Sequence, residues 1–510
     1  MEAVWNARHC RQLFFMKKIE FFTAKNNSLS CRINGIHLHS AYNPEKEAEK
    51  AVECTVFSFK PKYILIPEPA LGYAVPFLKE KFPDAKICAV RFTNEFEKFN
   101  AVYDRTFNFF DKTDSDRLEN SMNSYFGENG LLHCSFFSWE PSARIFPEKT
   151  AALFSILKKL INTSQSVLNT NAYFSKRWIK NTVIFLRNAS QLAGINRGNK
   201  DILITASGTS LKNSIPEIKK IRDRVFLIAV SSSLKPLLWD KIIPDLVIST
   251  DGGYWAKAHL SALLEAKTAG KIPLAISSES SCQKKLLKTR LLIPLLYTDG
   301  ISSRLLTELI VSGIKAERNG TVSGTAALLA MALTDGKVYF CGLDLAPGKG
   351  FQHTAPNELE IKNSCLDKKT RNTETRQTAS RLSSSSLKIY EDWFTANSLR
   401  FKDKLFRLSN NFSYANSLGS IKDINFDEII FSEEHKTSQE ITGSRQKKLS
   451  KSEIMDAVKK LSLSEEFKKE CFPIEYLSYE RETSSEKKIE TYKDIQKKTE
   501  DFVNQIEGLL

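Results

Sequence analysis

Between Asp201 and Cys341 six apolar runs of strand length, Ile202–Thr205, Val225–Val230, Leu246–Ile248, Ile272–Ile276, Leu291–Leu296 and Val338–Cys341, are separated by amphipathic helical stretches, among them Ser303–Val311 and Thr325–Leu333. Runs that are apolar at nearly every position, rather than at every second one, suit strands buried on both faces. Their alternation with helices predicts an α/β domain built on a parallel sheet with helices on both sides. Open sheets of this kind take ligands outside the carboxyl ends of their strands, so the residues that follow each run carry the functional information.

All six runs end in polar residues. The first is followed by Ala206-Ser207-Gly208-Thr209-Ser210 and a helix from Leu211. Gly208 lets the backbone turn close to a ligand, Ser207, Thr209 and Ser210 supply hydroxyls, and the helix start offers free N–H groups to an anion. This is a phosphate-type loop without the Gly-Lys-Ser/Thr of a Walker loop. The other runs lead into Ser231-Ser232-Ser233, Ser249-Thr-Asp251-Gly-Gly253, Ser277-Ser278, Thr298-Asp299 and Gly342-Leu-Asp344. Helix capping accounts for any one of these and less well for all six, since Asp251 precedes two glycines rather than a helical pattern. A further loop, Asn319-Gly-Thr321-Val-Ser323-Gly324-Thr325, opens another helix and places its hydroxyls at a second positive helix end. His353 follows Asp344 by nine residues, and His259 follows the Asp251 loop. Of the seven histidines these two are expected on the ligand side, where an imidazole serves as acid or base.

The rest of the chain is less regular. Residues 1–145 read as a smaller Rossmann-like domain, with strands at Tyr63–Ile66 and Lys86–Val90 around a helix. A dinucleotide site needs several glycines after the first strand. Pro67, Glu68, Pro69 and Ala70 stand there with Gly72 alone, so no bound nucleotide is expected. Residues 146–200 read as a basic helical connector, 201–365 as the central domain, 366–449 as a polar linker with mixed segments that include Arg371–Arg381 and Ser383–Ser386, and 450–510 as charged helices broken near Pro473.

The net charge of +15 over 510 residues invites a nucleic-acid partner. Its distribution argues otherwise. Residues 151–200 hold eight basic and no acidic side chains, and the central domain lacks the interleaved aromatic and basic residues that stack bases. A docking face for an anionic acceptor around Lys176, Arg177 and Lys180 is the sharper reading of that basic stretch. Nine cysteines without a C-x-x-C pair predict neither disulfides nor structural zinc. The charge spread predicts no membrane segment, and a cytoplasmic protein is expected, with Met16 as an alternative start.

Taken together, Ile202–Leu211, the Ala229–Leu238 and Pro244–Asp251 stretches, Gly320–Thr325, Phe340–Ala346 and His353 resemble the motility accessory factor (Maf) glycosyltransferases of flagellated bacteria. Leu38–Ala48, Leu71-Gly-Tyr73 and Trp139-Glu-Pro141 resemble that family too. The resemblance implies a central domain that is Rossmann-like in the GT-A/sialyltransferase-like sense. It implies transfer of a pseudaminic- or legionaminic-type nonulosonic acid from a CMP-sugar to Ser or Thr of flagellin, in support of flagellum assembly and motility, with no metal required and Mg²⁺ possible. Carried over by position, Gly208, Thr209 and Ser210 hold the nucleotide, and Ser323, Gly324 and Thr325 face the donor phosphate and carboxylate. The strand-end loops add Ser207, Ser231, Ser232 and Thr321 as substrate-binding candidates, and on chemical grounds His353 is the base or the phosphate-side acid with Asp251 or Asp344 in support. Ala206-Ser-Gly-Thr-Ser stands where a Gly-x-Gly-Pro-Ser form is common. The same domain also resembles the archaeal 6-hydroxymethylpterin diphosphokinase, which implies ATP-dependent pyrophosphate transfer with Asp251 and Asp344 on Mg²⁺. A flagellin- or nucleic-acid-binding protein without catalysis is the third reading.

Overall fold

A computed structural model of the chain describes residues 19–265, 271–346, 352–365, 367, 384–409, 413–414, 416–431, 437–445 and 448–510. The question of a start at Met1 or Met16, and the stretch Arg371–Arg381, lie outside them. The chain forms two compact units, Met1–Ala172 with Phe472–Gln496, and Tyr173–Cys471 with Lys497–Leu510.

The first unit begins with an antiparallel three-stranded sheet, β1 (Ile19–Thr23), β2 (Leu29–Ile33) and β3 (Ile36–His37). Four parallel strands follow, β4 (Tyr63–Pro67), β5 (Lys86–Arg91), β6 (Arg105–Asn108) and β7 (Cys134–Phe136), in the order β6-β5-β4-β7. The expected βαβ unit is β4, helix Ala74–Lys81 and β5. Past β4 the chain makes a tight turn in which Glu68, Ala70 and Gly72 have φ of 36°, 48° and 82°. Two fully buried side chains hold it. Glu68 Oε1 accepts from Arg91 Nη1 at 3.0 Å and from the Ala70 N–H at 3.2 Å, Oε2 accepts from the Phe92 N–H at 2.6 Å, and Arg91 Nη1 also donates to the Ala70 carbonyl at 2.8 Å. Residues with an unfavourable φ persist where surrounding bonds over-determine them, and here a buried ion pair does so.

The second unit carries an eleven-stranded sheet. Its strands are β8 (Gln191–Asn196), β9 (Ile202–Thr205), β10 (Phe226–Val230), β11 (Leu246–Ser249), β12 (Leu274–Ser277), β13 (Leu292–Leu296), β14 (Ile314–Lys315), β15 (Val338–Cys341), β16 (Leu405–Leu408), β17 (Lys422–Ile424) and β18 (Glu440–Arg445). The order is β17-β16-β15-β9-β10-β11-β12-β13-β8-β18, with β14 also paired to β13. Every pairing is parallel except β18 on β8. The six expected strands form its centre. Ile202, Ile204, Ile228 and Ile248 pack with Ala326, Ala330 and Leu333 of helix Val322–Leu333, while Leu203, Leu227 and Val247 on the opposite face are equally buried, as a sheet covered on both sides requires.

Two expectations are corrected. The connector is a single helix, Pro147–Asn188, and the residues after it form β8 inside the sheet. The stretch read as a linker contributes helix Ser384–Ala396 and strands β16, β17 and β18, so the sheet extends well beyond residue 365. These flanking strands carry Arg407, Lys422, Asp423 and Thr442, a polar signature that does not stand out from loop. Lys176, Arg177 and Lys180 are half-buried: Arg177 lies over the Tyr173 ring at 5.0 Å, and Lys180 donates to Gln505 at 3.0 Å above Phe502. Long cationic stems cover apolar surface readily, which an apolar periodicity alone does not reveal. No described helix is long and apolar enough to cross a membrane.

One buried carboxyl titrates where it affects stability. Glu470, on helix Glu465–Cys471, accepts the Ile301 N–H at 2.8 Å and is pushed up to about 7, first by burial and then by the Glu279 and Asp299 charges, with the Ile301 bond and Arg318 opposing. An unfolded glutamate titrates near about 4.3. A raised folded value means that Glu470 contributes stability below about pH 4 that is lost as pH rises through about 7. Urea midpoints of the wild type are therefore expected to fall over that window more steeply than those of Glu470→Gln; equal slopes contradict the assignment.

Candidate active site

The chain leaves β9 towards β10, β11, β12 and β13 on one side and returns to place β15 on the other. That reversal makes a topological switch point, and the crevice outside the carboxyl ends of β9 and β15 is where an open α/β sheet takes a ligand. The loops Ala206–Ser210 and Gly342–Asp344 meet there. The Gly208 N–H donates to the Gly342 carbonyl at 2.9 Å. Asp344 Oδ2 accepts from the Ser210 N–H at 2.9 Å and from Thr209 Oγ1 at 3.2 Å, and Oδ1 takes the Ser210 hydroxyl. Gly342 turns at φ 67°, and a Cβ on it would press into the Ala206 carbonyl. Arg407, fully buried on β16, donates to the Leu343 carbonyl at 3.3 Å while its other N–H groups are taken by Asp423 and Asn416. The Gly342–Asp344 turn is thus braced from a strand in the stretch read as linker.

A segment beyond β15 closes over the first loop. Thr354 N donates to the Ser207 carbonyl at 2.7 Å and its hydroxyl to the Gly208 carbonyl at 2.6 Å; Asn357 Nδ2 donates to the Ser232 carbonyl at 2.9 Å. His353 lies in this segment, and its N–H is taken by the Glu360 carboxylate at 3.0 Å. Its Nδ1 is buried with no hydrogen-bond partner among the described residues, and the imidazole is pushed down to about 4, by burial first and then by His259, with Glu358 opposing. At neutral pH the ring is therefore uncharged. The His259 ring is 6.0 Å away, and its Nδ1 lies 2.9 Å from Glu358 Oε2.

The Thr321–Thr325 loop and Asp251 both lie beside helix Ser384–Ala396. Thr321 precedes helix Val322–Leu333, the Asn319 carboxamide accepts the Thr321 N–H at 3.0 Å and donates to Thr325 Oγ1 at 3.2 Å, and Ser323 is half-buried in the first helical turn. A Cβ on Gly324 would come within 2.8 Å of the Trp393 ring. One turn earlier on the same helix, the Tyr390 phenol is raised by burial and then by the Asp251 charge. Tyr390 and Trp393 share a helix face, so Asp251 and Gly324 approach the same surface of helix Ser384–Ala396. The Asp251 carboxylate is exposed and accepts the Gly253 N–H at 2.8 Å. Asp344, in contrast, is committed to the Thr209 and Ser210 loop.

Several strand-end hydroxyls are structural. Ser233 pairs with Thr205 at 3.0 Å, Ser249 with Ser280 at 3.1 Å and Ser278 with Thr182 at 3.0 Å, and Asp299 accepts from Arg318 at 3.0 Å. Ser231 is buried beside Ser232 in the turn after β10. A cleft of about 380 Å³ beside β13 and β14 has an apolar floor of Leu295, Leu328, Met331 and Phe401, a charged mouth of Lys315 and the Glu317–Arg400 ion pair, and Thr325 in its lining. Among the described residues no three His, Cys, Asp or Glu side chains converge as a metal centre would need. Thr354, Glu358, Arg407, Tyr390 and Trp393 were not among the expected site residues. Hydroxyl and carboxylate content in 350–365 was the only signal for the first two.

Three comparisons bear on this arrangement. The family model described as 6-hydroxymethylpterin diphosphokinase MptE-like matches residues 176–350. An uncharacterized protein of Treponema pallidum (strain Nichols) is 31% identical over 230 residues, a match that spans 44% of this chain and 49% of that protein. The solved structure of a MAf glycosyltransferase from Magnetospirillum magneticum AMB-1 has the same fold, with a TM-score of 0.59 over 96% of this chain and 91% of that chain at 12% identity.

Proposed function

We propose that the chain is a glycosyltransferase that moves a nonulosonic acid of the pseudaminic or legionaminic type from its CMP-activated form to Ser or Thr hydroxyls of flagellin. The observation that carries this reading is the crevice at the β9/β15 switch, where a hydroxyl-bearing loop pinned by Asp344 leads into a helix N-terminus. The leaving CMP gains phosphate charge as the glycosidic bond breaks, and the positive end of helix Leu211–Ile221, with the Thr209 and Ser210 hydroxyls beside it, favours that charge. In this reading Ser207, Gly208, Thr209, Ser210, Ser231 and Ser232 surround the nucleotide. Thr321, Ser323, Gly324 and Thr325 form a second helix start for the donor carboxylate, with Asp251 nearby. The attacking hydroxyl must lose its proton to a nearby base, and in this reading that base comes from the neighbouring imidazoles His353 and His259, whose rings are 6.0 Å apart. A MAf glycosyltransferase with the same fold supports the reaction class.

Mass spectrometry of flagellin from a strain lacking this chain tests it: loss of nonulosonate mass is expected, and unchanged mass overturns the reading. The match to the MptE-like family model favours a second reading, pyrophosphate transfer from ATP to a hydroxymethylpterin. Turnover that requires ATP and stops with EDTA selects it.

A further inference from the structure

We propose that the acceptor's proton is taken by His259, with Glu358 as the positioning residue that fixes its tautomer, and not by His353. This rests on the glycosyl-transfer reading above.

His259 ends the short helix Tyr254–Leu260, which begins directly after the Asp251 loop, and Glu358 is the first residue of helix Glu358–Ser364. Two elements 99 residues apart thus bring imidazole Nδ1 and carboxylate Oε2 to 2.9 Å. The carboxyl stays ionised: burial alone would raise it, but the His259 hydrogen bond, then its own N–H and the His259 and Lys235 charges, hold it below the ordinary range. An ionised carboxylate only accepts, so Nδ1 carries a proton, and whenever the ring is neutral Nε2 holds the lone pair. A base held by a third group in this way is the recurring arrangement of acid–base sites. His353 has no such group, because its Nδ1 is without a partner among the described residues.

The groups facing the pair are Lys235, whose Nζ is 3.4 Å from Glu358 Oε1, the His353 ring at 6.0 Å, and Trp255, whose ring is 6.3 Å from His259 and carries Lys362 at 5.2 Å on it. The step balances within the ternary complex. The acceptor O–H bond breaks and its proton goes to His259 Nε2. The acceptor oxygen bonds the anomeric carbon while the bond from that carbon to the phosphate oxygen breaks, its electron pair leaving with CMP. The imidazolium is stabilised by Glu358 until it returns its proton to water.

Two measurements on the full chain test this. In turnover with a CMP-nonulosonate and flagellin, His259→Asn is expected to lose about 100-fold or more in kcat at unchanged donor affinity, and His353→Asn only a few-fold. Glu358→Gln is expected to move the acidic limb of the kcat/KM profile to lower pH, because the imidazolium loses its counter-charge; a packing role would lower the rate without moving the limb. In ¹⁵N spectra of the protein alone, His259 is expected as the Nδ1–H tautomer in the wild type, and that preference is lost in Glu358→Gln. Full transfer by His259→Asn, an unmoved limb, or an Nε2–H tautomer at His259 overturns the assignment. A wild type that turns over no CMP-sugar fails the glycosyl-transfer reading instead, and the tautomer then still decides whether the dyad exists.

Discussion

Gly208→Val is expected to cost about 100-fold or more in kcat/KM and to lower the stability of the second unit by about 1–3 kcal/mol, the usual cost of overpacking, without unfolding it. A side chain on Gly208 begins with a Cβ only 2.5 Å from Asp344 Cγ and 2.5 Å from the Gly342 carbonyl oxygen. Neither neighbour is free to retreat. Asp344 is held by the Ser210 N–H and by two hydroxyls, and the Gly342–Leu343 turn is braced by Arg407. The loop Ala206–Ser210 must therefore shift by about 1 Å, and displacements of that size in a positioning loop cost about 100-fold. Asp344→Asn separates charge from shape: it keeps the volume but offers an NH₂ where the loop needs an acceptor, so a smaller loss of the same kind is expected. Normal turnover by Gly208→Val would mean that this crevice is not where the donor binds.

Arg91→Ala is expected to destabilise the first unit by about 3–5 kcal/mol, the range found when one partner of a buried ion pair is removed. Arg91 and Glu68 are both fully buried at 3.0 Å, so loss of the guanidinium strands a carboxylate among Phe92, Phe96 and Tyr103. It also frees the left-handed turn at Glu68 and Ala70, whose carbonyl is an Arg91 acceptor. Adding Glu68→Gln to Arg91→Ala removes the stranded charge and should recover part of the loss. Urea unfolding followed by a probe in the first unit reads both; a double variant no better than the single one would show that the turn, and not the charge, sets the cost.

The centre of the large sheet was legible because burial on both faces writes itself as unbroken apolar runs. β9 and β15 span the expected residues, and the ligand-bearing loops follow from their ends. The flanks were not. β8, β16, β17 and β18 carry polar residues and lie in stretches whose composition resembles connector or linker. The pairings that make a site were also hidden, since they join residues far apart in the chain: Asp344 with Ser210 across 134 positions, His259 with Glu358 across 99. Local spacing marked Asp344 and His353 as polar residues near strand ends. It carried no information on which of them would meet a hydroxyl loop, a carboxylate or nothing.

If the glycosyl-transfer reading holds, the β9/β15 crevice binds the nucleotide of a CMP-sugar. Calorimetric titration of the purified chain with CMP and with ATP, in the presence and absence of Mg²⁺, tests it most directly. Saturable CMP binding that survives EDTA and is lost in Gly208→Val is the predicted result. Binding of Mg-ATP in place of CMP, or CMP binding unaffected by Gly208→Val, would contradict it.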